Sequence, residues 1–413
     1  MNILFLSHYY PPEGNAPASR VAALAERWVA AGHSVTVVTC APNVPNGIVY
    51  KGYRNRWCAR ETVNGVDVVR VWTYLAANRG AVRRMFNFVS YFFSALWRTL
   101  RLPRPDVAIA TSPQIFCGYA GVWVKRLRRI PLVMEIRDIW PESMAAVGAR
   151  VPSPAIWALE GIERSLYRVC DRIVTVGEGY RDRLVEKGVP ADRISIVMNG
   201  TDPSLFFPRP KDEDLLSRHG LSGKFVVSYV GTVGMACGLE VVLDAAAMLA
   251  AETRAPGMPE IVFAIVGDGA CREQLESDAR RRGLVNVVFT GRRPKSEMPA
   301  WIASSDANLV HLRRSGLFTT VMPSKIFESA GCARPVIMGV DGYAKKLVLD
   351  AEAGLDMKPE DAGSLVDCAR RLASDRALCE RLGANALERI GRVHSRDRQA
   401  QDYLELLSKL TAR

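Results

Sequence analysis

Lys224-Phe225-Val226-Val227-Ser228-Tyr229-Val230-Gly231 is an apolar run that ends on a glycine. Thr232–Gly238 adds two more glycines before a helical pattern over Leu239–Ala251. This strand–loop–helix order repeats what stands at the amino terminus. There Asn2–Ser7 is a short apolar run, and Ala18–Ala31 places Val21, Leu24, Ala25, Trp28 and Val29 on one helical face. Gly32 closes that helix in the manner of a C-cap. Working outward, Ser34–Cys40, Val66–Trp72, Val107–Ala110, Pro131–Ile136 and Asp171–Val176 read as strands of a first half. Ile261–Val266, Val285–Phe289, Ala307–Val310 and Pro335–Met338 read as strands of a second. Continuous apolar strands separated by helices predict α/β units, each a parallel sheet covered on both faces. A chain of 413 residues has room for two such units. Asn199–Pro210 carries turn residues and three prolines, which places the linker there. The expected organisation is 1–200, a linker over 201–210, 211–392, and a terminal helix within 393–413. Two similar units facing across a cleft would bind ligands at the carboxyl ends of their strands.

Hydrophobic residues make up 48% and charged residues 24%, a folding composition that excludes disordered, collagen-like and small disulfide-scaffold classes. No apolar run reaches the roughly 20 residues of a membrane-spanning helix. Met1–Ser7 lacks a basic start and a cleavage site, so it reads as a strand and not a signal peptide. Nine cysteines without CxxC spacing, and five scattered histidines, give no zinc motif; a reducing cytosol fits them. The net charge of +12 is concentrated. Arg79, Arg83, Arg84, Arg98, Arg101, Arg104, Lys125, Arg126, Arg128 and Arg129 stand against one acid, Asp106, so this segment expects an anionic partner.

Six segments could carry chemistry. Ser7–Pro17 joins a strand to a helix N-terminus, suits an anion, and has Gly14 for close approach; a plain turn would read the same. It lacks GxGxxG, which weighs against a dinucleotide fold. Tyr229–Glu240 ends Gly-Leu-Glu where a P-loop needs Gly-Lys-Ser/Thr, which weighs against an ATPase. Val266-Gly267-Asp268-Gly269 alone is a common turn. In Pro323-Ser324-Lys325-Ile326-Phe327-Glu328, Lys325 and Glu328 share a helix face beside free N–H groups. A cation beside phosphate and a carboxylate one turn deeper match a nucleoside diphosphate, the carboxylate accepting the ribose hydroxyls. A surface Lys–Glu pair is the plainer alternative. Arg137 and Asp138 follow a buried strand, where charge is costly unless used or paired. Finally, Arg83–Arg98 is a basic-flanked aromatic helix. Its rings suit either the underlying sheet or a lipid headgroup region, and the surrounding cations favour the membrane surface over nucleic acid.

Together these motifs resemble the retaining GT-B glycosyltransferases of family 4, over essentially the whole chain. The resemblance is greatest to the branch proposed to transfer N-acetyl-fucosamine in O-antigen and lipopolysaccharide assembly. It is carried by Tyr9–Pro17, Glu135–Ser143, Asn199–Asp202, Tyr229–Met235, Val266–Gly269 and Pro323–Glu328. It implies two Rossmann-like domains, a last helix crossing back to the first, and no cofactor or metal. The second domain would bind a UDP-sugar donor. The acceptor would be a polyprenyl-diphosphate-linked or other lipid-linked saccharide at the cytoplasmic, inner face of the plasma membrane. Glu328 matches the second glutamate of the family's E-x7-E element, whereas the first falls on Thr320. The family's Gly-Arg-x4-Lys element falls on Gly231-Thr232 and Cys237, so both its cations are missing. Lys325, Arg292, Arg293 and Lys295 are the candidates to compensate, Lys325 foremost. Gly14, Gly231, Thr232, Gly267, Asp268, Arg292, Thr320, Ser324, Lys325 and Glu328 are thus expected at the donor. Asp138 and Lys325 are expected in catalysis. Glu13, Asn15 and Arg137 are expected on the acceptor side, and Arg83, Arg84, Phe88, Phe92, Trp97 and Arg98 toward the membrane. A sugar-nucleotide 2-epimerase and a non-catalytic sugar-nucleotide scaffold are the competing expectations.

Overall fold

The computed structural model describes residues 1–412 except 45, 78–80, 113, 140, 143–152 and 254. The chain forms two compact units, Met1–Met198 with Asp397–Arg413, and Asn199–Arg396.

The first unit runs β1 (Asn2–Leu6), α1 (Ala16–Ala30), β2 (Ser34–Cys40), β3 (Cys58–Val63), β4 (Val66–Val71), α2 (Ala81–Thr99), β5 (Val107–Thr111), α3 (Ile115–Arg128), β6 (Leu132–Ile136), α4 (Ser153–Val169), β7 (Arg172–Thr175), α5 (Glu178–Glu186) and β8 (Ile194–Ile196). The sheet order is β3-β4-β2-β1-β5-β6-β7-β8. Every residue of β5 and β6 is buried, which is why these strands read as continuous apolar runs. Successive strands step outward in both directions from β1 and β5, so the loops leaving these two strands flank the point where strand order reverses.

One strand escapes the parallel rule. β3 pairs with β4 in antiparallel sense across Asn64-Gly65, both with positive φ (50° and 81°). A two-residue Asn-Gly link is the tight turn that such a hairpin favours. That dipeptide, followed by a β-branched strand, was the signal for β3 that the sequence reading passed over.

The first core is built around Trp28. Its ring stacks on Phe5 at 6.1 Å and meets Tyr403 edge-on at 5.4 Å, while its Nε1 donates to the Ala400 carbonyl at 3.0 Å. These contacts seat the last helix, α14 (Arg396–Thr411), in the first unit, as a helix crossing back requires. Arg20 of α1 and Glu135 of β6 form a fully buried ion pair, and Arg20 Nη2 also donates to the Val197 carbonyl at 2.9 Å. The pair fixes α1 to the sheet and to the chain segment that leaves the unit.

The second unit runs α6 (Glu213–Arg218), β9 (Phe225–Val230), α7 (Glu240–Ala251), β10 (Ile261–Val266), α8 (Arg272–Arg281), β11 (Val287–Gly291), α9 (Met298–Ser304), β12 (Ala307–His311), α10 (Lys325–Gly331), β13 (Val336–Gly339), α11 (Tyr343–Asp350), β14 (Gly354–Asp356), α12 (Ala362–Ser374) and α13 (Arg376–Ala386). Its sheet is parallel throughout, in the order β11-β10-β9-β12-β13-β14. Strand order reverses between β9 and β12. The loop after β9, which is the glycine stretch of the opening motif, and the loop after β12 therefore flank this sheet's own switch point.

Candidate functional site

The glycines of the second unit draw two loops together, backbone on backbone. Gly231 N–H donates to the Val266 carbonyl at 2.8 Å, and Val233 N–H donates to the Asp268 carbonyl at 3.0 Å. Gly267 has φ +145°, and a Cβ there would lie 1.9 Å from the Gly231 carbonyl oxygen. At Gly269 a Cβ would lie 2.3 Å from the Val233 carbonyl oxygen. No other residue type permits this approach, because any side chain would overlap main-chain atoms.

Lys325 packs against the seam. A Cβ on Gly231 would lie 2.8 Å from Lys325 Cε, and Lys325 Nζ stands 3.3 Å above the centre of the Tyr229 ring. An ammonium over a ring face is attracted by the ring's quadrupole, which holds the amine at the mouth of the loop. The Tyr229 hydroxyl lies 2.7 Å from the Thr232 carbonyl and 3.0 Å from Cys237 Sγ, tying the start of the loop to its end. Burial pulls the Lys325 amine down to about 8, partly offset by the nearby Cys237 and Glu328. Burial likewise pushes the Glu328 carboxyl up, against the pull of Arg396, Lys295 and Lys325. Lysine and glutamate thus occupy one charged cluster on α10.

Behind the loop stands a support the sequence reading missed. His311, at the end of β12, bonds the Cys237 carbonyl through Nδ1 at 2.6 Å and accepts the Glu360 N–H at Nε2, 2.9 Å. Those partners assign a neutral ring with its proton on Nδ1, in keeping with a pKa lowered by burial. Arg313 bonds the Met235 carbonyl at 2.8 Å and Glu240 at 2.8 Å. Together they fix residues 235–238 from outside. Only a histidine and an arginine just beyond a strand hinted at this, and neither belongs to a sequence motif.

The other expected residues of this unit fall differently. Asp268 turns its carboxylate onto its own helix, accepting from Gly269 N–H at 2.9 Å and Arg272 Nε at 2.8 Å, so its backbone and not its charge belongs to the seam. Thr320 lies in a 3-10 turn and donates to the Leu317 carbonyl at 2.7 Å. Ser324 precedes α10 without a side-chain capping bond. Arg292 is exposed beyond β11, and Arg293 meets His219 at 3.3 Å; of the compensating cations named with them, Lys325 and Lys295 are those that act on Glu328.

In the first unit Glu13 is buried, and its Oε1 accepts Asn43 N–H at 2.9 Å and Val44 N–H at 3.1 Å. It therefore latches the loop after β1 to the loop after β2. Asn15 caps α1 by accepting Ala18 N–H at 2.9 Å. Gly14 is exposed with open space where a Cβ would go. Ser112 Oγ accepts both Arg137 N–H (2.8 Å) and Asp138 N–H (3.2 Å), fixing that pair at the carboxyl end of β6. Asp138 is half-buried and near Tyr180, whose hydroxyl is pushed up by burial and then by Asp138. Trp140 and Ser143 of this motif, and Arg79 of the basic segment, lie outside the described residues.

Helix α2 corrects one expectation. Phe88 does not face outward: it is buried with Tyr91, Ala95 and Thr99, and meets His8 edge-on at 5.7 Å. The helical period puts Val82, Phe86, Phe93 and Trp97 on the opposite, exposed face instead. Arg83 is exposed, while Arg84, Phe92 and Arg98 are half-buried at the flanks. Trp123 and Leu127 of α3 are exposed as well.

Residues 15–200 match the family model "Glycosyl transferase 4-like domain", and residues 212–389 match "Glycosyl transferases group 1". The chain is a family 4 glycosyltransferase of the GT-B fold. Its similar relatives include the "Putative colanic acid biosynthesis glycosyl transferase WcaI" of Escherichia coli (strain K12), 26% identical over 84% of both chains. The "Probable glycosyltransferase WbjE" of Pseudomonas aeruginosa is 25% identical over 70% of this chain and 71% of that protein. Among solved structures, Anabaena Alr3699/HepE in complex with UDP and glucose superposes with a TM-score of 0.74 at 18% identity, covering 99% of this chain and 100% of that one. WaaG, described as a glycosyltransferase involved in lipopolysaccharide biosynthesis, gives 0.70 at 15%, covering 98% and 99%. In this glycosyltransferase the second family match spans the whole glycine seam and the Lys325–Glu328 turn. Among the described residues no group of three His, Cys, Asp or Glu side chains is arranged to hold a metal ion, and no helix is long and apolar enough to cross a membrane.

Proposed function

We propose that the enzyme transfers an N-acetylated amino sugar from a UDP-sugar to a lipid-linked or lipopolysaccharide saccharide acceptor, with retention of anomeric configuration. The observation that carries this reading is Lys325, held over Tyr229 and against Gly231 beside the position that Cys237 fills in place of a cation. An ammonium and a run of close-packed backbone can meet the charge that develops on a departing diphosphate, an electrostatic task. Glu328 takes the ribose hydroxyls, the backbone of Gly231 and Gly267 lets the phosphates approach, and no metal is needed. In the first unit, Glu13, Asn15, Gly14 and Arg137 serve the acceptor. Asp138 serves as a polar group or base near the reacting sugar. The relatives' names, which mention colanic acid and a glycosyltransferase, and a solved neighbour holding UDP and glucose, support the same class.

A thermal-shift screen of UDP, dTDP, GDP and their sugars tests the donor. At about 100 times Kd a ligand that binds only the native state adds roughly 2.7 kcal/mol, enough for a clear rise in Tm. UDP and one UDP-sugar should give it; a shift with GDP alone, or with no nucleotide, refutes the reading. Incubation with that donor alone separates transfer from epimerisation, which needs no acceptor.

The membrane part of the proposal rests on the exposed α2 face and its α3 neighbours, where Arg101 lies 3.4 Å over the Trp97 ring and Arg126 lies 5.9 Å over Trp123. Exposed rings interleaved with cations suit a headgroup layer, on the cytoplasmic side. Sedimentation with anionic vesicles should be strong at low salt and fall as salt screens the charge. The double variant Phe93→Ala/Trp97→Ala should lose it, whereas absence of binding at low salt ends the claim.

A further inference from the structure

Trp57, exposed, and Trp72, half-buried, form an aromatic pair that no step above uses. Trp57 is 76% exposed, unusual for so large a ring, and its centroid lies 5.2 Å from that of Trp72 at 35°. Both stand at one rim of the first sheet. Trp72 directly follows β4, and Trp57 directly precedes β3, whose first residue Cys58 pairs with Val71 at the end of β4. Because β4 runs parallel to the central strands, this rim is the carboxyl end of the sheet, where open α/β sheets bind ligands.

The pair is held in place from behind. Asn55 Nδ2 donates to the Thr73 carbonyl at 2.7 Å, and Asn55 Oδ1 accepts Thr73 N–H at 3.2 Å, so one side chain locks the two chain segments together. Tyr53 lies under Arg70 at 4.8 Å, and Tyr50 donates its hydroxyl to the Val44 carbonyl at 2.7 Å. Val44 N–H is in turn held by Glu13. These contacts tie the long loop between β2 and β3 to the loop after β1, through Glu13, and to the segment that carries Trp72, through Asn55. The described residues of this loop hold no strand or helix, and a loop of that length is commonly a binding loop.

We propose that Trp57 and Trp72 are a stacking platform for a pyranose ring of the saccharide acceptor. This deepens the transfer reading above and rests on it. One face of a pyranose is a patch of C–H bonds made electropositive by the ring oxygens, and an indole face is electronegative, so the two pack flat. A buried role is excluded by the exposure of Trp57, and the reciprocal Asn55 bonds keep the platform rigid before a ligand arrives, which lowers the entropy cost of binding. Tyr74, which meets Phe86 of α2 at 6.1 Å, continues the aromatic surface toward the outward stripe of that helix. A lipid-linked acceptor would lay its sugar on the tryptophans and its lipid toward α2.

Saturation-transfer NMR with the methyl glycosides of glucose, galactose, N-acetylglucosamine, N-acetylgalactosamine and fucose tests the platform. Wild type should transfer saturation to the ring C–H protons of at least one glycoside. Trp57→Ala should reduce this at least fivefold, and Trp57→Phe should keep most of it. The UDP-induced thermal shift, read on the same samples, should be unchanged in both variants, and their unfolding midpoints should match wild type. No transfer to wild type, or equal transfer in Trp57→Ala, overturns the platform. So does a Trp57→Ala variant that keeps glycoside transfer but loses anionic-vesicle binding, which would make the pair a bilayer contact. A wild type that ignores UDP yet binds a glycoside sinks the donor reading and leaves the platform standing, so the two failures are told apart.

Discussion

Lys325→Ala is expected to lower kcat/KM for sugar transfer by about 10³-fold or more, the size seen when one preorganised charge-stabilising group is removed from a transition state. The chain has neither family cation at Thr232 and Cys237, so no neighbour in that loop can stand in for the amine. Glu328→Ala should also remove transfer, through the ribose. Neither change should unfold the protein, since both side chains are half-buried and neither belongs to a hydrophobic core cluster. Circular dichroism and unfolding midpoints near wild type would confirm that. Wild-type-like turnover in both variants would falsify the assignment. A pH signature belongs to the same residue. Burial holds the Lys325 amine at about 8, so the free enzyme carries the ammonium below that pH and loses it above. UDP affinity should therefore be flat up to pH 8 and decline beyond it, because the neutral amine no longer meets the diphosphate. The decline should stop once pH passes the higher pKa that the bound anion imposes. In Lys325→Ala the profile should be flat across this range.

Gly267→Ala should abolish UDP binding and lower stability together. Its φ of +145° is costly for any L side chain, and the new Cβ would stand 1.9 Å from the Gly231 carbonyl oxygen, forcing the two loops apart. Backbone in such a region costs on the order of 1–3 kcal/mol before the clash is counted. Gly283→Ala is the control. That glycine also has positive φ, at +66°, but nothing lies within 4 Å of its Cβ, so only strain of about 1–2 kcal/mol is expected and UDP binding should survive. Equal loss of nucleotide binding in the two variants would show that positive φ alone matters and that the Gly231–Gly267 approach does not.

Where side chains alternate or run apolar, the sequence was easy to read. Ile261–Val266 is legible to the residue because a strand buried at every position leaves no room for polar interruption, and Ser34–Cys40 because its run is mostly β-branched. The final helix was visible as an amphipathic run. The motif at Pro323–Glu328 put Lys325 and Glu328 on one turn, since helical spacing alone ensures it. Phe88 was misjudged because a helix with aromatics on two faces offers no sign of which face meets the sheet; Tyr91 and Ala95 decide it by packing. A Gly-Asp-Gly turn reads the same whether its carboxylate faces a ligand or binds Arg272, so the Asp268–Arg272 pair is visible only in the structure.

The strand–helix alternation, the repeat of one unit by another and the short glycine loops that could meet a diphosphate are legible in single stretches of chain. These are local properties: side-chain periodicity and backbone freedom act within a few residues. Packing brings Gly231 against Gly267, Lys325 over Tyr229, His311 and Arg313 behind the loop, and Trp57 beside Trp72. All but the last join residues tens of positions apart, and their approach depends on strand order and register, which no single stretch of chain encodes; the tryptophans, closer in sequence, meet across the β3–β4 hairpin.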